Sequence, residues 1–469
     1  MTRRADIHIL SLLLVLPFFF YEDLLLAAVL AAAGLFVIYK EKIHNALSDL
    51  HWRELIFFIY AFHMLFGERA FAYLGFEPLF LTEIVLTILV FSYAKDLMQI
   101  RKILAVYYVL ILIGAGFAMV YFIEFRLDAV RDSFMLLYAL WVPVVYHVFR
   151  DKSHYQLFLL FLKMFIVLKA LAYFYEAGMI LLGFKRITFE GFRFGVGYIL
   201  PSLIVVSLFL PFRKIGWQYK LISLVMIPAV FTIFHRSIFF GIILGLLFIF
   251  WLGTWVSRRT IVLYGFSSVV LLFAFLVYYN TLVDVDIFRI LDQKSSLEEG
   301  NINYRFLSWQ QVLLKFNEFF LLGYGVGKPV MYAYENIFYS TINLTYFQIR
   351  DLGGNAQPHN SYLNILARFG ILIFPIFLYA LIKPLRVSID LIRYKNRDGD
   401  DFYSLFLLNS GFLMVMYVLA FFNVVLEGPH HSFPFWLAIG MLLSFERAGN
   451  FSYRRIRIVH SGRFSKETN

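Results

Sequence analysis

Long runs of apolar residues, separated by short polar stretches, recur along most of the chain. Runs of roughly 18 apolar residues can cross a bilayer as helices, and the strand-length alternation typical of a membrane barrel is missing. The pattern predicts an all-α polytopic membrane protein with about fourteen transmembrane helices, or about twelve if two are miscounted. The predicted spans lie at roughly 6–20, 24–39, 54–67, 77–94, 103–123, 133–149, 156–183, 195–212, 219–234, 237–256, 260–280, 361–382, 402–422 and 432–446.

One long polar interruption divides these spans into parts. The division predicts an N-terminal transmembrane bundle (1–281), an outer loop domain (282–360), C-terminal transmembrane helices (361–446) and a basic cytoplasmic tail (447–469). The first apolar run has the form of a signal sequence but lacks a small-residue cleavage site, so we expect a retained first span.

Lysine and arginine residues predict the orientation, since cytoplasmic loops of helical membrane proteins are enriched in them. With a cytoplasmic N-terminus, most of the 42 lysines and arginines fall in the cytoplasmic connections and the two tails. We therefore expect both ends of the chain in the cytoplasm and the long loop outside. The basic residues Arg454, Arg455 and Arg457 are interpreted as a topology signal, with binding of anionic lipid as the alternative.

Composition supports this class of protein. Hydrophobic residues make up 61% of the chain and charged residues 16%, against about 25% in water-soluble domains. The chain has no cysteine, which excludes disulfides, thiolate metal sites and cysteine nucleophiles. The net charge of +11 follows from the cytoplasmic lysines and arginines, so it does not indicate nucleic acid. Aromatic residues make up 20% of the chain, and those near span ends are expected chiefly as anchors at the membrane interface, with a groove for a lipid chain as the alternative.

A segment of the outer loop is amphipathic. From Asn303 to Phe320, apolar residues recur at helical spacing opposite polar ones. The apolar positions are Phe306, Trp309, Leu313, Phe316 and Phe320. The sequence predicts a helix resting on the outer bilayer surface, with Arg305 at the edge of its apolar stripe. A helix placed there would suit a lipid-linked substrate.

The stretch 353–374 leads from a polar, glycine-containing run directly into a long apolar segment. Pro358 disfavours helix at the residue before it, and Asn360 or Ser361 can cap a helix that begins just after. His359 is therefore predicted at the membrane surface, at the mouth of a transmembrane helix. It is either a proton-transfer group or a hydrogen-bonded structural histidine.

Three arginines lie on the outer side against the topology bias, namely Arg193, Arg236 and Arg305. Their planar forks of donors suit a diphosphate group. The alternative is an ion pair with Glu190 or Glu124, or with a phospholipid headgroup.

Other polar residues support weaker hypotheses. Asp284-Val285-Asp286 matches a pattern that holds a metal and a nucleotide diphosphate, but nucleotide sugars are not expected outside. Gly323-Tyr324-Gly325-Val326-Gly327-Lys328 lacks the spacing of a phosphate loop, so we expect a flexible turn. Charges within apolar spans mark either function or a buried pair, such as Glu83 with Lys169 at mid-membrane. The other charges within spans are Lys163 and Arg368. Glu427, His430 and His431 lie in the last outer loop, where they either contact the substrate or belong to a solvated loop.

With these residues in place, the chain from about Gly191 to Leu442 resembles the O-antigen ligase/polymerase family of bacterial envelope glycosyltransferases. The resemblance is carried by motifs in a set order: Arg193 with Pro201, His235-Arg236-Ser237, Tyr304-Arg305 with Trp309, Gly323-Tyr324-Gly325-Val326-Gly327, Pro358-His359-Asn360-Ser361-Tyr362-Leu363 with Arg368-Phe369-Gly370, and Phe422-Asn423 to Trp436. Arg368 is a departure, since many relatives have an acidic residue there.

The resemblance implies a GT-C-like enzyme on the periplasmic face of the bacterial inner membrane, working without metal or another cofactor. The implied donor is a saccharide on undecaprenyl diphosphate, and the acceptor is a saccharide or lipid A-core. Membrane lipids are further partners, and nucleic acid is not. His359 would accept the acceptor's proton while Arg236 and Arg305 hold the departing diphosphate. The implied substrate-binding residues are Arg193, Asn360, Tyr362, Trp309 and His430.

Two reactions fit this machinery. A polymerase joins one lipid-linked repeat to another, whereas a ligase transfers the finished glycan to lipid A-core. More spans precede the long loop than ligases usually show, which favours the polymerase. A transporter of the lipid-linked sugar is the alternative from another class, with the intramembrane charges lining its path.

Overall fold

The computed structural model describes residues 50–76, 79–99, 101–181, 207, 216–225, 227, 236–253, 255–283, 300–328, 358–394 and 401–448. Some predicted features lie outside these ranges. They are the first two spans, most of the span at 195–212, Arg193, the Asp284–Asp286 pattern and the basic tail.

The described part of the chain is mostly helical, as predicted. Its helices are α1 (Trp52–Ala72), α2 (Leu81–Ser92), α3 (Ala94–Leu97), α4 (Ala105–Leu137), α5 (Trp141–Val148), α6 (Lys152–Leu181), α7 (Trp217–Val225), α8 (Arg236–Leu252), α9 (Trp255–Val283), α10 (Gly300–Glu318), α11 (Ser361–Tyr394), α12 (Asp401–Phe422) and α13 (Pro429–Ala448). A 3-10 turn at Tyr138–Leu140 joins α4 to α5. A short antiparallel hairpin of β1 (Gly75–Phe76) and β2 (Leu79–Phe80), which we did not predict, precedes α2.

Three stretches within the described ranges are long and apolar enough to cross a membrane. They are Ala105–Val148, Ser361–Asp390 and Asp401–Phe422. Leu81–Ser92 and Ser237–Leu252 are shorter apolar helices. These stretches agree with a helical membrane protein, and the number of about fourteen spans remains a prediction.

The run from α4 to α5 reverses direction within itself. Its 44 residues are about twice as long as the roughly 30 Å hydrocarbon core requires. The helix is broken at Arg126, whose φ of 47° and ψ of −122° are not helical. Beyond the break the chain returns along itself, since a Cβ at Gly114 would lie 3.1 Å from Leu136 Cβ. This antiparallel pair corresponds to the predicted spans at 103–123 and 133–149.

Aromatic side chains fill the centre of the described bundle. Trp141 of α5 stacks on Tyr60 of α1, with ring centroids 5.2 Å apart. Phe433 of α13 meets Trp141 edge-on at 4.8 Å and Tyr60 at 5.0 Å. We call these three residues the aromatic core. They are interior residues, because α13 packs against α1, α5, α11 and α12 and is covered by them.

Glycines allow α8 and α12 to approach closely. A Cβ at Gly245 would lie 2.6 Å from the Gly411 carbonyl oxygen, and one at Gly411 would lie 2.3 Å from Ile249. Small residues at such positions let two membrane helices pack backbone to backbone. The contact places the N-terminus of α8, which begins at Arg236, beside the C-terminus of α12.

A second close approach lies where α11 is broken at Gly370, whose φ of 76° is not helical. The glycine segment (Gly323–Gly327) inserts there: the N–H groups of Tyr324 and Gly325 donate to the carbonyls of Ala367 (2.6 Å) and Arg368 (3.0 Å). Just beyond the break, Ile371 N–H donates to the Phe320 carbonyl at 3.0 Å. The predicted flexible turn is therefore a docked segment. Irregular backbone within a membrane protein is tolerated where such bonds satisfy it.

Helix α10 packs along the first turns of α11. Val312 and Phe316 are buried against Ala367, with Leu363 and Leu366 beside them. The predicted position of this helix on the bilayer surface stays a prediction. Phe316 of the predicted stripe faces α11 together with Val312, whereas three other stripe residues remain exposed. These are Phe306, Leu313 and Phe320.

Two of the charges within apolar spans have structural partners. Glu83 accepts from the Phe80 N–H at 2.9 Å and from the Tyr138 hydroxyl, and Arg131 lies 3.6 Å from it. These partners surround the Glu83 carboxyl in the first turn of α2. The Lys169 side chain lies outside the described ones, so its predicted pairing with Glu83 stays a prediction. The Lys163 ammonium lies 5.5 Å from the centroid of the Tyr219 ring.

Candidate active site

His359 lies in the turn that leads into α11. Its φ is 48°, a left-handed conformation that a residue with a Cβ adopts at some cost. Two neighbours fix the turn. The Pro358 carbonyl accepts from Trp309 Nε1 at 2.8 Å, and Asn360 Oδ1 accepts from the N–H groups of Tyr362 and Leu363, both at 3.0 Å. The predicted capping role of Asn360 is confirmed, and His359 stands at the mouth of a helix long enough to span a membrane.

Arg305 of α10 acts electrostatically on the imidazole. Burial and, as the smaller contribution, the positive charge of Arg305 together lower the pKa of His359 to about 4. At neutral pH the ring is therefore uncharged and keeps a nitrogen lone pair. An uncharged imidazole beside a fixed cation can accept a proton while the cation stabilises a nearby anion.

Ser361 ties the start of α11 to the segment between α12 and α13. Its hydroxyl donates to Glu427 Oε2 at 2.6 Å and accepts from the N–H groups of Val425 (2.9 Å) and Leu426 (3.2 Å). Asn364 Nδ2 donates to the other carboxyl oxygen of Glu427 at 3.0 Å. Burial raises the pKa of Glu427, although both side-chain hydrogen bonds oppose that rise. Glu427 is thus a partly buried, hydrogen-bonded anchor of the site rather than part of a solvated loop.

The same segment brings the start of α8 to the site. Asn423 Nδ2 donates to Ser237 Oγ at 2.8 Å, and the Asn423 carbonyl lies within 3.2 Å of the Ser361 hydroxyl. Arg236, next to Ser237, therefore begins its helix close to the first turn of α11. The Arg236 side chain is not among the described ones.

Two of the aromatic residues expected to bind substrate form a wall beside His359. Trp309 and Tyr362 both face Phe421, with ring centroids 5.7 and 6.3 Å away. The Tyr362 hydroxyl donates to the Tyr417 carbonyl at 2.9 Å, so the structure uses it to hold α11 to α12. Because the polar atoms of both side chains bond to backbone carbonyls, the apolar ring faces are the parts that can contribute to the site.

His430 lies on another side of this region. Its ring is 5.4 Å from that of Tyr73, which follows α1, and 3.6 Å from that of His431. The contacts thus associate His430 with the segment before the β-hairpin rather than with α10. Within the described ranges, no three histidine or carboxylate side chains form a group that could hold a metal ion.

A line of polar side chains runs from the site along α11, and sequence reasoning did not assemble it. Arg368 Nε donates to Asn364 Oδ1 at 3.1 Å, and its Nη1 lies 2.6 Å from Asp132 Oδ2 of α4. We call Ser361, Asn364, Arg368, Asp132 and Glu427 the polar seam. The four-residue spacing of Asn360, Asn364 and Arg368 was the available signal, since it places them on one helix face. Asp132 had no such signal, because its partner lies 236 residues away.

The fold and the site together define a helical membrane protein whose polar centre, around His359 and Arg305, lies where several helices end. Residues 221–378 match the family model described as O-antigen ligase, a range that contains Arg236, Arg305 and His359. This match supports the resemblance to the O-antigen ligase/polymerase family. Members of the family are glycosyltransferase-like ligases and polymerases of surface polysaccharide assembly. No match was found among the curated proteins.

Proposed function

We propose that this protein is a glycosyltransferase that polymerises oligosaccharide repeats carried on undecaprenyl diphosphate. It works on the periplasmic face of the bacterial inner membrane, with both ends of the chain in the cytoplasm, and it needs no metal. The observation that carries the proposal is the uncharged imidazole of His359 beside Arg305, at the mouth of α11.

The reaction needs a base and a stabilised leaving group. A hydroxyl of the acceptor sugar attacks the anomeric carbon of the donor, a carbon–oxygen bond forms, and the bond from that carbon to the diphosphate oxygen breaks. His359 takes the hydroxyl proton. Arg305 and Arg236, with Arg193, hold the diphosphate as its negative charge develops. A well-placed general base contributes about a hundred- to ten-thousandfold in rate.

The polar seam and the aromatic wall support the same site. Ser361 and Asn423 hold the starts of α8 and α11 together, which brings the Arg236 backbone toward the His359 turn. Trp309 and Tyr362 offer apolar ring faces, on which sugar rings pack. The exposed apolar residues of α10 suit the hydrocarbon chain of a lipid-linked donor.

The experiment is a transfer assay with the purified full-length protein in liposomes and chemically defined lipid-linked repeats. Longer lipid-linked chains are expected, resolved by mass or by gel. If product forms only when lipid A-core is added, the protein is a ligase and not a polymerase. If neither product forms while labelled lipid-linked repeat crosses the liposome membrane, the protein is a transporter.

The ligase is the second candidate. The observation that favours it is the description of the matched family, which is O-antigen ligase. The two candidates share His359 and the arginines, and they differ only in the molecule that supplies the attacking hydroxyl. The acceptor dependence in the assay therefore distinguishes them.

A further inference from the structure

The ion pair between Arg368 and Asp132 is short and largely enclosed. Its atoms are 2.6 Å apart, and the two side chains are 3% and 17% exposed. It joins two helices that are far apart in sequence, α4 and α11. A buried charge is tolerated only when it is paired and hydrogen-bonded, so each partner depends on the other.

Both members of the pair also hold the end of the glycine segment. Asp132 Oδ2 accepts from the Gly327 N–H at 2.7 Å. Arg368 Nη1 donates to the Lys328 carbonyl at 3.0 Å. These bonds add to the backbone bonds that dock Tyr324 and Gly325 in the break of α11. The ion pair therefore fixes the end of this segment next to α4.

The glycine segment directly follows α10, which carries Arg305 and Trp309. Trp309 meets the His359 turn through the Pro358 carbonyl, and Val312 packs against α11. Between α10 and the glycine segment only residues 319–322 intervene, and two of their carbonyls accept from the N–H groups that follow Gly370. The C-terminal end of α10 is thus anchored by the segment that the ion pair holds.

We propose that Arg368 and Asp132 are positioning residues for glycosyl transfer, which fix Arg305 relative to His359 by fastening the glycine segment between α4 and α11. The inference rests on the proposed function. Neither residue touches the reacting atoms in this arrangement. They act through α10, since a helix held at its C-terminal end keeps the residues of its second turn in place. A displacement of about 1 Å can cost on the order of a hundredfold in rate.

The first test uses kinetics. Arg368→Gln and Asp132→Asn are each expected to lower kcat on the order of a hundredfold with little change in the KM for the lipid-linked donor, because the lost contact acts on the transition state. Arg368→Lys keeps the ion pair but not the bond to Asn364, so it should recover part of the rate. Arg53→Gln is the matched control, since Arg53 pairs with Asp96 at 3.2 Å and joins α1 to α3 instead.

The second test measures geometry without activity. The chain has no cysteine, so spin labels can be attached to introduced cysteines alone. Suitable sites are Phe306→Cys on α10 and Leu372→Cys on α11, whose side chains are 61% and 57% exposed. The distance between the labels is expected to be narrowly distributed in the parent protein and in Arg53→Gln, and broader or shifted in Arg368→Gln.

The outcomes separate the two proposals. If the parent protein transfers no sugar, the proposed function fails, while the label distances still decide whether the ion pair holds α10. If Arg368→Gln lowers the thermal midpoint but its folded fraction keeps the parent kcat and label distance, the pair is only structural and the inference is overturned.

Discussion

Around Trp141, three aromatic rings meet within 5.2 Å of one another, whereas along α11 the polar seam is held by hydrogen bonds and an ion pair of 2.6 to 3.1 Å. Aromatic packing contributes a large stabilisation in total but constrains geometry weakly, since each pair adds only about 0.5–1.5 kcal/mol beyond burial. Hydrogen bonds to charged groups contribute about 1.5–3 kcal/mol and depend on geometry. The aromatic core therefore mainly stabilises the bundle, whereas the polar seam fixes the positions of the site residues.

The largest expected effect concerns His359, and it falls on activity alone. His359→Ala should lower transfer by about a hundred- to ten-thousandfold, because no base remains for the acceptor hydroxyl. The amount of protein in the membrane and its thermal midpoint should stay near the parent values. His51→Ala is the control, since His51 is an exposed histidine before α1. Normal glycan from His359→Ala would contradict the assignment.

Disruption of the aromatic core should lower stability and leave activity nearly unchanged. Trp141→Ala removes a fully buried ring and should cost about 3–5 kcal/mol of stability, seen as a lower thermal midpoint in detergent. The kcat of the remaining folded protein should be close to the parent value. Trp141→Phe retains an aromatic ring and should lose less. A hundredfold loss of kcat in folded Trp141→Ala would contradict the claim that the aromatic core affects stability and not activity.

Substitutions at two glycines, Gly325 and Gly116, test whether docking of the glycine segment matters for activity. Gly325 has a φ of 92°, and a Cβ there would lie 2.4 Å from the Tyr121 ring. Gly325→Ala should therefore lose stability by about 1–2 kcal/mol from the backbone alone, and transfer should fall because the glycine segment cannot dock. Gly116→Ala is the control: nothing lies within 4 Å of its Cβ, and alanine favours helix by about 0.5–1 kcal/mol. Equal activities of the two variants would show that docking is irrelevant to the site.

Two asparagines provide a smaller, matched test. Asn360 caps α11 beside His359, whereas Asn409 donates to the Ala438 carbonyl at 2.7 Å in the bundle interior. Each change to alanine should cost about 1 kcal/mol of stability. Only Asn360→Ala should also lower kcat, because its bonds set the turn that carries His359. Thermal midpoints and kcat, measured on both variants, check this difference.

The smallest expected effect is a displacement along the pH axis. Transfer requires uncharged His359, whose pKa is lowered to about 4, so the acidic limb of kcat/KM should lie near pH 4 rather than near the ordinary value of 6.5. Since the unfolded chain binds a proton at higher pH than the folded chain does, this group also makes stability rise with pH between those two values. Arg305→Gln should move the acidic limb to a higher pH, and only by a part of the whole shift, because Arg305 is the smaller of the two causes that lower the pKa of His359. A limb at pH 6.5 in the parent protein would exclude His359 as the base.

Local pattern was sufficient for some features of the site. Pro358 and Asn360 predicted where α11 begins and hence where His359 lies, since capping and proline effects act within a few residues. The helical periodicity around Trp309 predicted α10. The burying face of α10 and its place along α11 were not predictable, because they depend on the partner helix.

Other features had no local signal. The glycine segment docks in a helix break about forty-five residues further on, and periodicity does not report such a contact. Glu427 suited a substrate contact and a solvated loop equally, yet Ser361 and Asn364 hold its carboxyl by hydrogen bonds. Arg368 was expected to mark either function or a buried pair, and its partner Asp132 becomes evident only when α4 turns back at Arg126 and meets α11.

By itself the sequence determined the class of this protein, the position of His359 at a helix mouth and the family that residues 221–378 resemble. These depend on composition, on apolar run length and on motifs of a few residues, which are properties of neighbours along the chain. Only the tertiary structure decided that Arg305 lies near enough to His359 to lower its pKa, that Arg236 begins its helix near the first turn of α11, and that an ion pair fastens the glycine segment. Those contacts join residues tens to hundreds of positions apart, and the packing of whole helices selects them.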